Sequence, residues 1–198
     1  GALPPVCPPV RPLRLPDGTD DSRATLTAVT TPSITMSSLA VSTVSAASDI
    51  PRTDWEQLVP AGHPFLNADF LAILERHGMA GSACGWTARH LVAHDDSGAT
   101  LGILPIYVRA NSHGDFIHDW SWAAAYRQLG KPYYPKLLNG LPHTPARGPR
   151  LLVRPGSAAD AVSRALITTA LQTVAAQQLS SWHVAFPTDH EVELLHSH

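Results

Sequence analysis

The sequence predicts an α+β fold, with a mixed β-sheet flanked by helices. Two strand-like stretches, residues 88–94 and 100–108, are joined by Asp95-Asp96-Ser97-Gly98, a turn composition that makes an antiparallel hairpin. A long helical segment over residues 158–179, with Ala161, Ala165, Ala170 and Val174 near helical spacing, stands between strand-like runs at 150–153 and 181–186. Helices mixed with an antiparallel pair, followed by strand, helix and strand, define an α+β domain.

The other elements follow from local chemistry. Residues 39–47, LAVSTVSAA, roughly alternate and read as an edge strand. Pro51 suits a first helical position, and residues 52–58 form a short helix that Pro60, Gly62 and Pro64 end. Asn67 caps the next helix, ADFLAILERH, and Gly78 stops it. Phe70, Leu71 and Leu74 give that helix a buried stripe. Gly102 and Pro105 point to a bulge or an edge in the second hairpin strand. Residues 111–120, NSHGDFIHDW, read as a polar loop or short strand, and residues 122–129 as a helix ended by Gly130 and Pro132. From Tyr133 to Pro149 the prolines dominate, and no strand is read before residue 150. If the strands on either side of the long helix are parallel, the crossover is right-handed. Thr188-x-x-Glu191 is a capping box that opens a last helix, which the end of the chain cuts short.

Composition bounds the function. The chain has 198 residues, 44% hydrophobic and 15% charged, enough for one sizeable core. The net charge of -2 argues against a general nucleic-acid binder, which would show a basic face. No apolar run reaches the length of a membrane span, and no basic segment followed by an apolar one marks a secretory signal. Cys7 and Cys84 lie outside any CxxC pair and read as two free thiols of a reducing, cytoplasmic compartment. Residues 1–38 are rich in Pro, Ser and Thr and read as a disordered or non-native arm, with Met36 near the native start; residues 39–198 form the domain.

The candidate site residues cluster between 113 and 150. Asp119 reads either as the N-cap of a helix or a turn carboxylate beside a structural Trp, or as a catalytic carboxylate that orients a substrate amine, and the capping preference of Asp favours the first. Trp120, Tyr126, Tyr133, Tyr134 and Lys136 combine aromatic faces with a cation. They line a groove for a sugar or peptide, or cover a sheet edge with Lys136 reaching out to solvent. Thr144, Arg147 and Arg150 sit in a loop stiffened by Pro142, Pro145 and Pro149. There an arginine suits a carboxylate or phosphate, or makes a surface ion pair. The stretch from Tyr133 to Val153 is thus expected to shape one wall of a substrate groove. His113, Asp115, His118 and Asp119 are the right types for a metal, but their spacing fits no recognised ligand motif, so no metal is expected.

The order of hairpin, strand, turn, long helix and strand resembles the GNAT acyltransferase fold. That resemblance implies a pyrophosphate-binding helix start, here at residues 151–159, with Gly156 and Ser157 as cofactor-binding residues. Gly156 stands alone where the fold's usual loop carries several glycines. The segments HPFLNADFLAILE, GWTARHLV, DWSWAAAY, YYPKLL and TPARGPRLL, in this order, resemble bacterial N-acyltransferases of peptidoglycan biosynthesis or recognition, relatives of the Fem-type transferases, from about residue 44 onward. The resemblance implies acyl or aminoacyl transfer to an amine, with an acyl-CoA or aminoacyl donor and a cell-wall precursor as partner. It also implies a second GNAT-like half beyond the last residue, so that this chain is the N-terminal half of a longer protein. A recognition module for such a precursor is the alternative, and a metal-dependent hydrolase ranks below both.

Overall fold

The computed structural model describes residues 39–113, 115–117, 119–156 and 158–197. The arm read over residues 1–38, the start at Met36, His118 and Ser157 lie outside them. The architecture is α+β, as the sequence predicts, but the strands divide into two four-stranded sheets instead of one central sheet.

The division lies in the hairpin. Its first arm is β2 (Trp86–Ala88) and β3 (His90–His94), and its second is β4 (Thr100–Leu104) and β5 (Tyr107–Arg109). Asp95 closes the turn, its Oδ1 accepting from Ser97 N and Ala99 N. Pro105 has no amide hydrogen, so the ladder is interrupted between β4 and β5. Only the Arg89 N–H to Ile106 O bond, 3.0 Å, carries the pairing across. The outer part of the hairpin joins β1 (Ala40–Val44) and β7 (Leu152–Val153) in an antiparallel sheet ordered β1-β3-β4-β7. The inner part joins β6 (Lys136–Asn139) and β8 (Trp182–Val184) in a mixed sheet ordered β2-β5-β6-β8, where β6 and β8 run parallel. β6 is the strand not read from the sequence: Lys and Asn at its ends hide a run in which all four residues are buried. The strands flanking the long helix fall in different sheets, so the expected crossover does not join neighbours.

Helices cover both faces. α1 (Arg52–Leu58) and α2 (Ala68–Arg76) pack Trp55, Leu58 and Leu71 on Val92, Ile103 and Leu152. Asn67 caps α2, accepting from Asp69 N at 2.8 Å. Of the expected stripe Leu71 is buried, while Phe70 and Leu74 are half-buried. On the other face α4 (Ala159–Ala176) sets Val162, Leu166 and Ala170 against Leu91, Ala93 and Leu104. Gly102 lies inside this sheet: a Cβ there would stand 2.7 Å from Val162 Cγ1, so only glycine lets α4 approach this closely. α3 (Trp120–Gln128) has no buried residue. α5 (Asp189–His196) opens with the predicted capping box: Thr188 accepts from Glu191 N, and the Glu191 carboxylate returns to Thr188 N. Glu191 also accepts from Arg150 N and Leu151 N, tying α5 to the approach of β7. Cys84 is disulfide-bonded, which corrects the reading of a free thiol; cysteine spacing says nothing of spatial proximity. No helix among the described residues is long and apolar enough to cross a membrane.

Candidate functional site

β5 and β6 place Arg109 directly opposite Lys136, and both are buried. Two like charges across a strand pair repel each other, and in a dry interior each needs a counter-charge. The segment after β5 supplies both. Asp115 Oδ2 accepts from Arg109 Nε at 3.2 Å and Nη2 at 2.8 Å, and Asp119 Oδ2 accepts from Lys136 Nζ. The result is a buried square of two cations and two carboxylates. Arg109 is fixed further by Cys84 O and Gly85 O, and its guanidinium lies 3.8 Å from the centroid of the Trp86 ring.

Asp119 is the hub. Tyr133 OH donates to its Oδ2 and Tyr134 OH to its Oδ1, each at 3.0 Å. Tyr134 OH also lies 2.7 Å from Ser112 Oγ. Burial pushes the Asp119 carboxyl up, but the bonds from Lys136 and Ser112, the Lys136 charge and the bond from Tyr134 outweigh it and hold it below the usual range. Burial, with the Asp119 charge adding to it, raises the Tyr133 phenol and takes the Tyr134 phenol up to about 12, so both remain proton donors. Asp119 stands at the N-cap position of α3, as read, but its side chain makes no capping bond and turns to the buried ion pair instead. Lys136 is 2% exposed, which corrects the reading of a lysine reaching solvent. In both cases the buried ion pair wins over a local preference.

A cavity of about 220 Å³ opens beside this cluster, lined by Asn111, Ser112, His113, Trp120, Ala123, Arg127 and Tyr134. Trp120 is 63% exposed at its rim. Tyr126 lies behind it, its ring edge-on to Tyr133 at 5.1 Å between centroids. The structure therefore brings Asp119, Trp120, Tyr126, Tyr133, Tyr134 and Lys136 together.

The remaining candidates lie elsewhere. Thr144 lines a slot with Trp86 and Asp115, and its hydroxyl donates to Pro142 O. Arg147 and Arg150 line a separate cavity of about 200 Å³ with His63 and Phe65. Arg147 pairs on the surface with Asp189. Arg150 is buried and donates to Ala146 O, Pro149 O and Ala185 O, which makes it a brace of its loop. Gly156 is exposed at the start of α4, with φ +145°, and its carbonyl accepts from Ala159 N. Among the described residues no cluster of three or more His, Cys, Asp or Glu side chains could hold a metal. Arg109 and Ser112 escaped the sequence reading, and Asp115 entered it only as a metal ligand. The four-residue spacing of Asp115 and Asp119 was the available signal, but their cationic partners become visible only once β5 pairs with β6.

A strand pair with an aromatic and acidic loop folded over it, beside a cavity, is the site that this α+β domain presents. The family model for FemAB-like proteins, described as peptidoglycan biosynthesis/recognition, matches residues 46–198. The chain belongs to this family, and its role lies in peptidoglycan biosynthesis or recognition. No curated protein and no solved structure matches the chain.

Proposed function

We propose that this domain binds part of a peptidoglycan precursor and serves acyl or aminoacyl transfer to an amine. The observation that supports this most is the Ser112–Tyr134–Asp119–Lys136 chain, whose Ser112 and Tyr134 line the cavity that Trp120 and Arg127 rim. The chain fixes its own donors and acceptors before any ligand arrives, which lowers the entropy lost on binding. Trp120 presents a flat apolar face to a sugar or peptide unit, and Arg127 suits an anionic group. At about 220 Å³ the cavity is smaller than the ~300–1,000 Å³ of a complete small-molecule site, so it holds a portion of a precursor.

In the transfer, the acceptor amine attacks the activated acyl carbon, the bond from that carbon to the donor's leaving group breaks, and the proton that the amine gives up passes to water. These residues contribute binding and orientation. An acyl-CoA or aminoacyl donor belongs to the same proposal. At the start of α4, Gly156 and the uncapped Ala158 offer backbone donors and no capping side chain, a weak fit to a pyrophosphate. A second reading is recognition without chemistry. It is supported by Asp119, whose carboxylate already accepts from Lys136, Tyr133 and Tyr134 and is held acidic, which makes it a poor base.

Calorimetric titration of the full chain with an amine-bearing muramyl peptide tests binding, with Trp120→Ala as the variant. Saturable binding that weakens about tenfold in the variant is expected, a loss of about 1.4 kcal/mol. Equal binding by both proteins contradicts this site. Mass-spectrometric detection of a new amide, with an acyl-CoA or aminoacyl donor added, separates transfer from recognition.

A further inference from the structure

A second feature lies on the other side of the charged square. The Asp115 side chain is 5% exposed, and while its Oδ2 is held by Arg109, its Oδ1 is buried with no hydrogen-bond partner among the described residues. Trp86 is 2% exposed, and its Nε1 is likewise buried and unpartnered. Both residues line one slot, with room for about 10 Å³. That is the space of a single water-sized group. An orphaned acceptor and an orphaned donor on two residues that line one slot each carry a desolvation cost, and such atoms ask for a partner.

The charge decides what kind of group fits. Arg109 and Asp115 already neutralise each other, so a cation or an anion entering the slot would add an uncompensated buried charge. A neutral group with one donor and one acceptor satisfies both orphans at no such cost, and among ligand groups of water size that is a hydroxyl. The rim adds a second argument. Phe116 is 59% exposed and Phe186 42% exposed, and both line the slot. Exposed aromatic faces around a polar floor suit the alternating apolar and hydroxylated faces of a sugar ring. The wall is also strained: His143 (φ +54°) and Phe186 (φ +53°) hold left-handed backbone conformations without being glycine. Strain of this kind collects at ligand-binding walls.

We propose that Asp115 and Trp86 form the floor of a saccharide-binding slot, which receives one sugar hydroxyl while the ring rests on Phe116 and Phe186. The identity of the saccharide as an amino sugar of the precursor rests on the peptidoglycan reading above; the slot itself does not. It lies apart from the cavity at Trp120, which gives the two features separate reporters.

The test is a titration of the full chain with N-acetylglucosamine, followed by the indole N–H signals in a proton–nitrogen correlation spectrum. Trp86→Phe identifies the Trp86 signal by its loss. The expected result is a saturable shift of that signal, weakened about 2- to 10-fold by Phe116→Ala, a rim substitution on an exposed side chain. Asp115→Asn is expected to abolish the shift; if that variant does not fold, Phe116→Ala carries the test. The proposal is overturned if the sugar leaves the Trp86 signal unmoved, which means a structural water only. It is also overturned if methylammonium shifts the signal instead, which means a cation site. A sugar that shifts Trp120 but not Trp86 overturns the slot and leaves the peptidoglycan reading standing.

Discussion

At the scale of single residues, buried charge governs this protein. Lys136 and Asp119 are each worth keeping only because the other is present. Lys136→Met leaves a buried carboxylate facing two tyrosines without its cation, and a loss of about 3–5 kcal/mol is expected in urea unfolding. Adding Asp119→Asn to that variant should recover most of the loss, since no charge then remains unpaired. After Asp119, a second depressed carboxylate contributes to the acid limb. Burial pushes Glu75 up, but His90, Ala47 N and Tyr107 outweigh it, and its folded-state value lies below the ordinary 4.5. A carboxyl depressed by folding adds stability at pH above its unfolded value and loses it as pH falls through its folded value. The melting temperature should therefore drop as pH falls below about 4.5, and Glu75→Gln should flatten that drop. Asp115, raised by burial, works in the opposite sense and does not cause it.

At the scale of elements, close approach and capping decide the packing. Gly102→Val places a side chain where Val162 Cγ1 stands 2.7 Å from the first added carbon. α4 must then move off the sheet, and about 1–3 kcal/mol of stability should be lost in urea unfolding. The helices were the legible part of the sequence: α1 spans the residues predicted, and the Asn67 and Thr188 caps are where their chemistry places them. Capping is a local interaction, and local interactions are visible along the chain. β6 was not legible because its pattern is written by its environment. A lysine buried by a distant aspartate and an asparagine bound to Pro105 O look like loop residues in the sequence alone.

At the scale of the molecule, one bent hairpin belongs to both sheets, and Asn139 ties their junction by donating to Pro105 O at 2.6 Å. The hairpin was predicted as a single unit, but the split at Pro105 follows from which strands join each arm, and that pairing is non-local. The same holds for the site. Asp119, Tyr133, Tyr134 and Lys136 were singled out by residue type, and the fold gathers them, whereas Arg109 and Ser112 enter only through the β5–β6 pairing and the loop above it. The central claim is that this gathered site binds a peptidoglycan precursor. Its most direct test is thermal unfolding of the full chain with and without a muramyl pentapeptide. A cooperative transition that moves up with the precursor, reaching about 2.7 kcal/mol of stabilisation at a hundredfold excess over Kd, is the predicted result. A midpoint that the precursor leaves unmoved at every concentration would contradict the account.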